Sequence, residues 1–141
     1  MRSDVPVGTT LSSGLDSSSI VSVLRKFNSK EHNTFTAVFK SDEYNNFEKN
    51  SYKKDIIINE GTLATRLSNE LGLTSYLIPI SGNNFCKELS DVIYFLESGN
   101  YSPAIITLTK IMSVAKKHVS VVWEGQGAEE LVAGDMTEVL P

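Results

Sequence analysis

Ser12-Ser13-Gly14-Leu15-Asp16-Ser17-Ser18 follows directly on Val5-Pro6-Val7-Gly8-Thr9-Thr10-Leu11, and this junction decides the fold. An extended apolar segment enters a turn of small hydroxyl residues and glycine. A helix with apolar periodicity leaves it, carried by Ile20, Val21, Val23, Leu24 and Phe27. The first N–H groups of a helix have no internal partners and point outward, and the macrodipole adds partial positive charge there. A strand, turn and helix in this order build an anion cradle. Gly14 lets the backbone approach a ligand closely, and Ser12, Ser13, Ser17 and Ser18 offer hydroxyl donors suited to phosphate oxygens. Asp16 is placed to hold a divalent cation rather than to touch phosphate itself.

The same alternation continues outward. Thr34-Phe35-Thr36-Ala37-Val38-Phe39 is a β-branched and aromatic run, hence a strand. Residues 40–54 are polar and Asn-rich and read as a loop, with Tyr44, Phe47 and Tyr52 as its packing aromatics. Residues 56–71 carry Leu63, Ala64, Leu67 and Leu71 at helical spacing and stop at Gly72, a good C-cap. Residues 74–80 form a third strand. Two helices are expected at 84–97 (Phe85, Leu89, Val92, Ile93, Leu96) and 103–118 (Ile106, Leu108, Ile111, Met112, Ala115), the second opening on Pro103. Residues 119–123 read as a fourth strand. Strands alternating with helices imply a parallel sheet with right-handed crossovers, flanked by helices in three layers. Such α/β sheets bind ligands at the carboxyl ends of their strands, where the first motif lies.

Bulk composition narrows the function classes. The 141 residues suit one domain, 40% of them are apolar, and 17 acidic against 13 basic side chains leave a net charge of −4. There is no dense basic stripe, so nucleic acid is not the expected partner. No apolar run approaches a membrane span of about 20 residues. Cys86 stands alone, which suits a reducing, cytoplasmic compartment and a buried or half-buried structural thiol. His32 and His118 lack ligand-type neighbours and suggest no metal pair; His118 beside Lys116-Lys117 suits a helix C-terminus. Trp123, ending a strand, is expected in the core or a pocket wall. The first strand starts within a few residues of Met1, and the last helical signal breaks off at Val139-Leu140-Pro141, so the chain reads as cut from something longer.

Glu124-Gly125-Gln126-Gly127-Ala128-Glu129-Glu130-Leu131 follows the fourth strand as the serine-rich turn follows the first. Its glycines permit a tight turn with free amides. Glu129 alone would only favour the first turn of a helix. Paired with Asp16 at the same sheet edge, it could hold Mg²⁺ between the two carboxylates and bridge phosphates.

These residues resemble a family. The turn with Gly14 and Asp16 is similar to the SGGxDS signature of the PP-loop ATP pyrophosphatases. Together with residues 2–8, Asn59-Glu60, the 94–103 region and Gly125 to Leu131, it resembles the synthetase domain of glutamine-hydrolysing asparagine synthases, over nearly the whole chain and in order. The resemblance implies a Rossmann-like sheet of the adenine nucleotide alpha hydrolase type and a ligase using ATP and Mg²⁺. It would adenylate a carboxylate such as aspartate's, release pyrophosphate, and form an amide with ammonia from a separate N-terminal glutaminase domain. It implies that Ser12, Ser13, Gly14, Asp16 and Ser17 bind pyrophosphate, with Asp16 and Glu129 on the metal. Leu11, the main chain near Ala37, and Glu124-Gly125 would contact the adenosine. Gln126 stands where the family often has a glutamate implicated in proton transfer, so Gln126 and Asp16 are the candidate catalytic residues.

By this comparison residues 1–141 form a truncated synthetase domain, without the glutaminase domain and the C-terminal part of the synthetase domain. A homodimer of the full-length protein is allowed. Ser13 replaces the pattern's glycine and would be strained if that position required positive φ. Glu129 replaces its aspartate. The alternative reading is a nucleotide-binding module without catalysis. A third, tRNA thiolation, is disfavoured by the lack of paired cysteines and of a basic face. The same reading expects exposed apolar surface and a tendency to associate.

Overall fold

The computed structural model describes residues 3–27, 31–39, 60–99, 102 and 104–128. Among them, strands and helices run in the order β1 (Val7–Thr10), α1 (Leu15–Phe27), β2 (Asn33–Phe39), α2 (Glu60–Glu70), β3 (Thr74–Ile80), α3 (Phe85–Leu96), α4 (Ala104–Ala115) and β4 (Val121–Trp123). The strands form one sheet in the order β3-β2-β1-β4, every neighbouring pair parallel. The chain steps outward from β1 to β3, then returns to lay β4 on the other side of β1. That reversal puts the topological switch point between β1 and β4. The expected three-layer, parallel, Rossmann-like sheet is what the chain forms.

The two faces of the sheet hold together differently. Phe35, Ile78, Ile80, Ile111, Ala115 and Val119 make an apolar cluster beneath α4. On the other face Leu11 and Val21 meet Ala64 and Leu73 under α1 and α2, beside a layer of buried hydroxyls. Thr34 Oγ1 lies 3.0 Å from Ser68 Oγ, and Thr36 Oγ1 donates to the Leu11 carbonyl at 2.7 Å. β-branched threonines supply strand propensity, and their hydroxyls are paired where a bare polar group would be costly.

His32 belongs to this layer. It is buried, with Nε2 2.7 Å from the Thr9 hydroxyl, and desolvation pushes its imidazole below its ordinary pKa. The folded protein therefore keeps His32 neutral where the unfolded chain, titrating near 6.5, already takes a proton. The stability this contributes is present above that pH and is lost as pH falls toward the lowered folded value. Thermal melts between about pH 7.5 and about pH 5 should show Tm falling, with a shallower fall in His32→Gln.

Several expectations shift in detail. Strand 74–80 is unchanged. Helix 84–97 becomes Phe85–Leu96, closed by Glu97 at φ 52°. α2 ends before Gly72, whose φ of 63° is the left-handed cap a glycine allows. β4 is two residues shorter than expected, because the Val119 amide still caps α4 by donating to the Ala115 carbonyl. α1 buries Val21 and Ser17, while Val23 and Phe27 are exposed, so its apolar stripe is narrower than the periodicity suggested. Cys86 is exposed rather than buried. Trp123 is 44% exposed on β4, at the edge of the described sheet, and so is not a core residue. The His118 ring lies against Tyr76 with centroids 4.2 Å apart and the planes tilted by 32°, a packing role beyond the expected helix-end charge.

α3 leaves much apolar surface exposed: Val92 alone is buried, and Tyr94 and Phe95 are about 80% exposed. The loop at 40–54, Pro103, Glu129 and the helix expected beyond it lie outside the described residues. No helix among the described residues is long and apolar enough to cross a membrane.

Candidate functional site

Pairing between β1 and β2 carries the chain to the mouth of the site. The Leu11 amide donates to the Phe35 carbonyl at 2.9 Å, one residue beyond the strand proper, so the serine turn leaves from a fixed point. Ser17 then fastens the turn. Its buried hydroxyl sits 2.9 Å from Ser12 Oγ, accepts the Ser12 amide at 3.2 Å, and lies 3.3 Å from the Gly14 carbonyl. Ser12 Oγ in turn accepts the Gly14 amide at 3.1 Å. The hydroxyls of Ser12 and Ser17, read from sequence as phosphate donors, are thus engaged in shaping the loop. The amides that open α1 at Leu15, Asp16 and Ser17 precede the first i→i−4 bond, made by Ser18 to Gly14. Those amides have no partner within the helix and are available to an anion.

Ser13 is half-buried and does not line the cleft. Among the described non-glycine residues only Glu97 has positive φ, so the serine at position 13 carries no left-handed strain. The departure from the glycine of the signature costs no backbone strain.

The second turn meets the first at the switch point. A Cβ added to Gly125 would stand 3.0 Å from the Ser17 amide nitrogen and 3.1 Å from Asp16 Cβ, so the turns touch only because residue 125 is glycine. Gly127, at φ 86°, supplies the left-handed residue that closes the second turn. Between the turns lies a cleft of about 270 Å³. It gathers Leu11, Ser12, Gly14, Asp16, Ser17, Ala37, Glu124, Gly125 and Gln126, nine of the residues the sequence nominated. Glu129 lies outside the described residues.

Glu60 also lines the cleft. The sequence reading used it only as part of a resemblance, although a signal was there. Like Asp16, it is a carboxylate opening a helix that follows a strand, which puts it at the ligand edge of a parallel sheet. Asp16, Glu60 and Glu124 give the cleft three carboxylates and no lysine or arginine among its described lining residues. No group of three or more metal-ligating side chains forms among the described residues. The donors present are hard oxygens, which suit a magnesium ion sharing one or two carboxylates with a phosphate chain.

Comparison with known proteins decides the family. The family model described as asparagine synthase matches residues 1–137. The chain belongs to the asparagine synthase family.

An asparagine synthetase [glutamine-hydrolyzing] 1 of Bacillus subtilis is 34% identical over 134 residues, covering 95% of this chain and 19% of its own length. A putative asparagine synthetase [glutamine-hydrolyzing] 2 of Methanocaldococcus jannaschii is 33% identical over 144 residues, covering 99% of this chain and 24% of its own. The chain thus spans about a fifth of the length of these relatives. Among solved structures, an NH3-dependent NAD synthetase from Campylobacter jejuni superposes with a TM-score of 0.55 at 17% identity, over 92% of this chain and 51% of that one. At that identity the likeness shows the fold alone.

Proposed function

We propose that this chain carries the nucleotide-activating site of an ATP-dependent amidotransferase synthetase. The observation that carries the reading is the contact of the two turns at the β1–β4 switch point, with one cleft between them. ATP lies with its phosphates on the amides opening α1 and its adenosine against Leu11, Ala37 and Glu124-Gly125. An oxygen of the acceptor carboxylate attacks the α-phosphorus and the bond to the β-phosphate oxygen breaks. Pyrophosphate departs onto the α1 amides, leaving an acyl adenylate. Ammonia, released from glutamine by a glutaminase domain, attacks the acyl carbon, AMP leaves, and a proton is lost to give the amide.

Asp16, with Glu129, would hold Mg²⁺, which neutralises the triphosphate and the departing pyrophosphate. Gln126 has no basic nitrogen at neutral pH and acts by orienting the reacting groups. The protein's work is positioning and charge neutralisation rather than covalent chemistry. The exposed thiol of Cys86 and the use of ATP fit the cytoplasm.

Three carboxylates around the cleft oppose a bare triphosphate. Chelating Mg²⁺ should therefore weaken ATP binding at least about tenfold, or about 1.4 kcal/mol, in a calorimetric titration. The activity test is pyrophosphate release from ATP, Mg²⁺, ammonium and a panel of carboxylates beginning with L-aspartate. Release that depends on carboxylate supports adenylation. Binding of MgATP without release from any of them supports the alternative, a nucleotide-binding module without catalysis.

A further inference from the structure

Leu11 is the last residue before the serine turn, and both of its main-chain groups are tied to β2. Its amide donates to the Phe35 carbonyl at 2.9 Å, and its carbonyl accepts the Thr36 hydroxyl at 2.7 Å. The second of these bonds breaks the pattern of the sheet. In a parallel ladder both main-chain groups of a residue face the same neighbouring strand, and successive residues alternate. Phe35 faces β1, so Ala37 faces that side too, while Thr36 turns its main chain to β3. The next rung would therefore run from the Ala37 amide to the Leu11 carbonyl. That carbonyl takes a side chain instead, and among the described residues the Ala37 amide has no backbone partner on that side. Leu11 and Thr36 are each 2% exposed, so hydroxyl and carbonyl close on one another out of water. Ala37 is half-buried and lines the nucleotide cleft.

We propose that Thr36 is a positioning residue: by occupying the Leu11 carbonyl it withholds that acceptor from the Ala37 amide and leaves an N–H donor at the wall of the cleft to read the nucleotide base. The inference rests on the nucleotide reading, in which the main chain at Ala37 meets the adenosine. An N–H on a half-buried wall is costly to leave unpaired, so a ligand that accepts from it gains. A ring nitrogen of adenine is such an acceptor. A triphosphate seated on the amides opening α1 gains nothing from Ala37. Valine has the shape of threonine without the hydroxyl. In Thr36→Val the buried Leu11 carbonyl loses its donor, and the sheet offers the Ala37 amide in its place.

The test combines amide hydrogen exchange with ligand titration of the whole, isotopically labelled chain. In the parent the Ala37 amide should exchange quickly, and MgATP should slow it. In Thr36→Val without ligand it should exchange at least about tenfold more slowly, because the amide has joined the sheet. A mere loosening of the fold would quicken exchange, so the sign of the change separates the two. MgATP should bind Thr36→Val about tenfold more weakly, whereas inorganic tripolyphosphate with Mg²⁺, which carries no base, should bind within a factor of about two of the parent. Thr36→Ser keeps the hydroxyl and should bind MgATP as the parent does. Ala37→Pro removes the amide at a position whose nitrogen gives the ladder no bond, and it should fold and lose the same affinity as Thr36→Val. The proposal is overturned if Ala37 exchange in Thr36→Val is unchanged or faster, or if tripolyphosphate weakens as much as MgATP. It is overturned equally if Thr36→Ser behaves like Thr36→Val, or if a folded Ala37→Pro protein binds MgATP like the parent. If Ala37 exchange slows in Thr36→Val but MgATP binds neither protein, the nucleotide reading fails while the control of the Ala37 amide by Thr36 stands.

Discussion

Replacing Gly125 with valine removes MgATP binding while the sheet stays folded. The bare Cβ of any substitution already meets the Ser17 amide nitrogen at 3.0 Å and the Asp16 carbonyl carbon at 3.3 Å. Those are backbone atoms at the start of a thirteen-residue helix, and they cannot swing aside as a flexible side chain would. Valine adds two methyl groups at the same point. The turns must part, and the added bulk also covers the Ser17 amide, one of the donors offered to phosphate. An affinity loss of at least about tenfold, or about 1.4 kcal/mol, is expected by calorimetry, with the circular dichroism spectrum unchanged. Gly125→Ala should fall between the two. Binding by Gly125→Val within a factor of about two of the parent would mean that the turns do not share a ligand.

The second large effect falls on stability. A Cβ at Gly8 would sit 2.7 Å from Phe35 Cε2, 3.0 Å from the Asn33 carbonyl oxygen and 3.3 Å from a Val119 methyl. Phe35 has no room to yield: it is fully buried and stacks on Tyr76 with ring centroids 5.3 Å apart. The Asn33 oxygen belongs to the strand paired with Gly8. Gly8→Val therefore overpacks the middle of the sheet. A cost of about 3 kcal/mol, lowering Tm by roughly 10 °C, is expected in thermal unfolding. Adding Phe35→Leu should return part of that loss, because the two residues compete for one space. A melt unchanged by Gly8→Val would contradict the packing of β1 against β2.

The architecture was legible because strand and helix periods alternate cleanly. Thr74–Ile80 and its neighbours carry local signals strong enough that tertiary context had little to overrule. The cleft was legible for a different reason: both of its turns follow strands in a parallel sheet, so topology alone brings them to one edge. What escaped the sequence depends on contacts between distant segments. Nothing near Cys86 announced that α3 would bury only Val92 and leave the thiol in solvent. His32 reads as an unremarkable histidine until Thr9, twenty-three residues earlier, closes on its ring. Composition showed serines as phosphate donors, whereas Ser17 spends its hydroxyl on the shape of the turn. Glu60 lines the cleft because α2 starts at the ligand edge of the sheet, a placement legible in the order of strand and helix rather than in residues 60–70 themselves.

The central claim is that the Ser12–Ser18 turn and the Glu124–Gly127 turn form a single nucleotide site. Amide chemical-shift mapping of the isotopically labelled chain during titration with ATP and Mg²⁺ tests it most directly. Shifts concentrated at residues 12–17, at Ala37 and at residues 124–126, saturating together with one dissociation constant, are the predicted result. Absence of binding, or shifts confined to one turn, would contradict it.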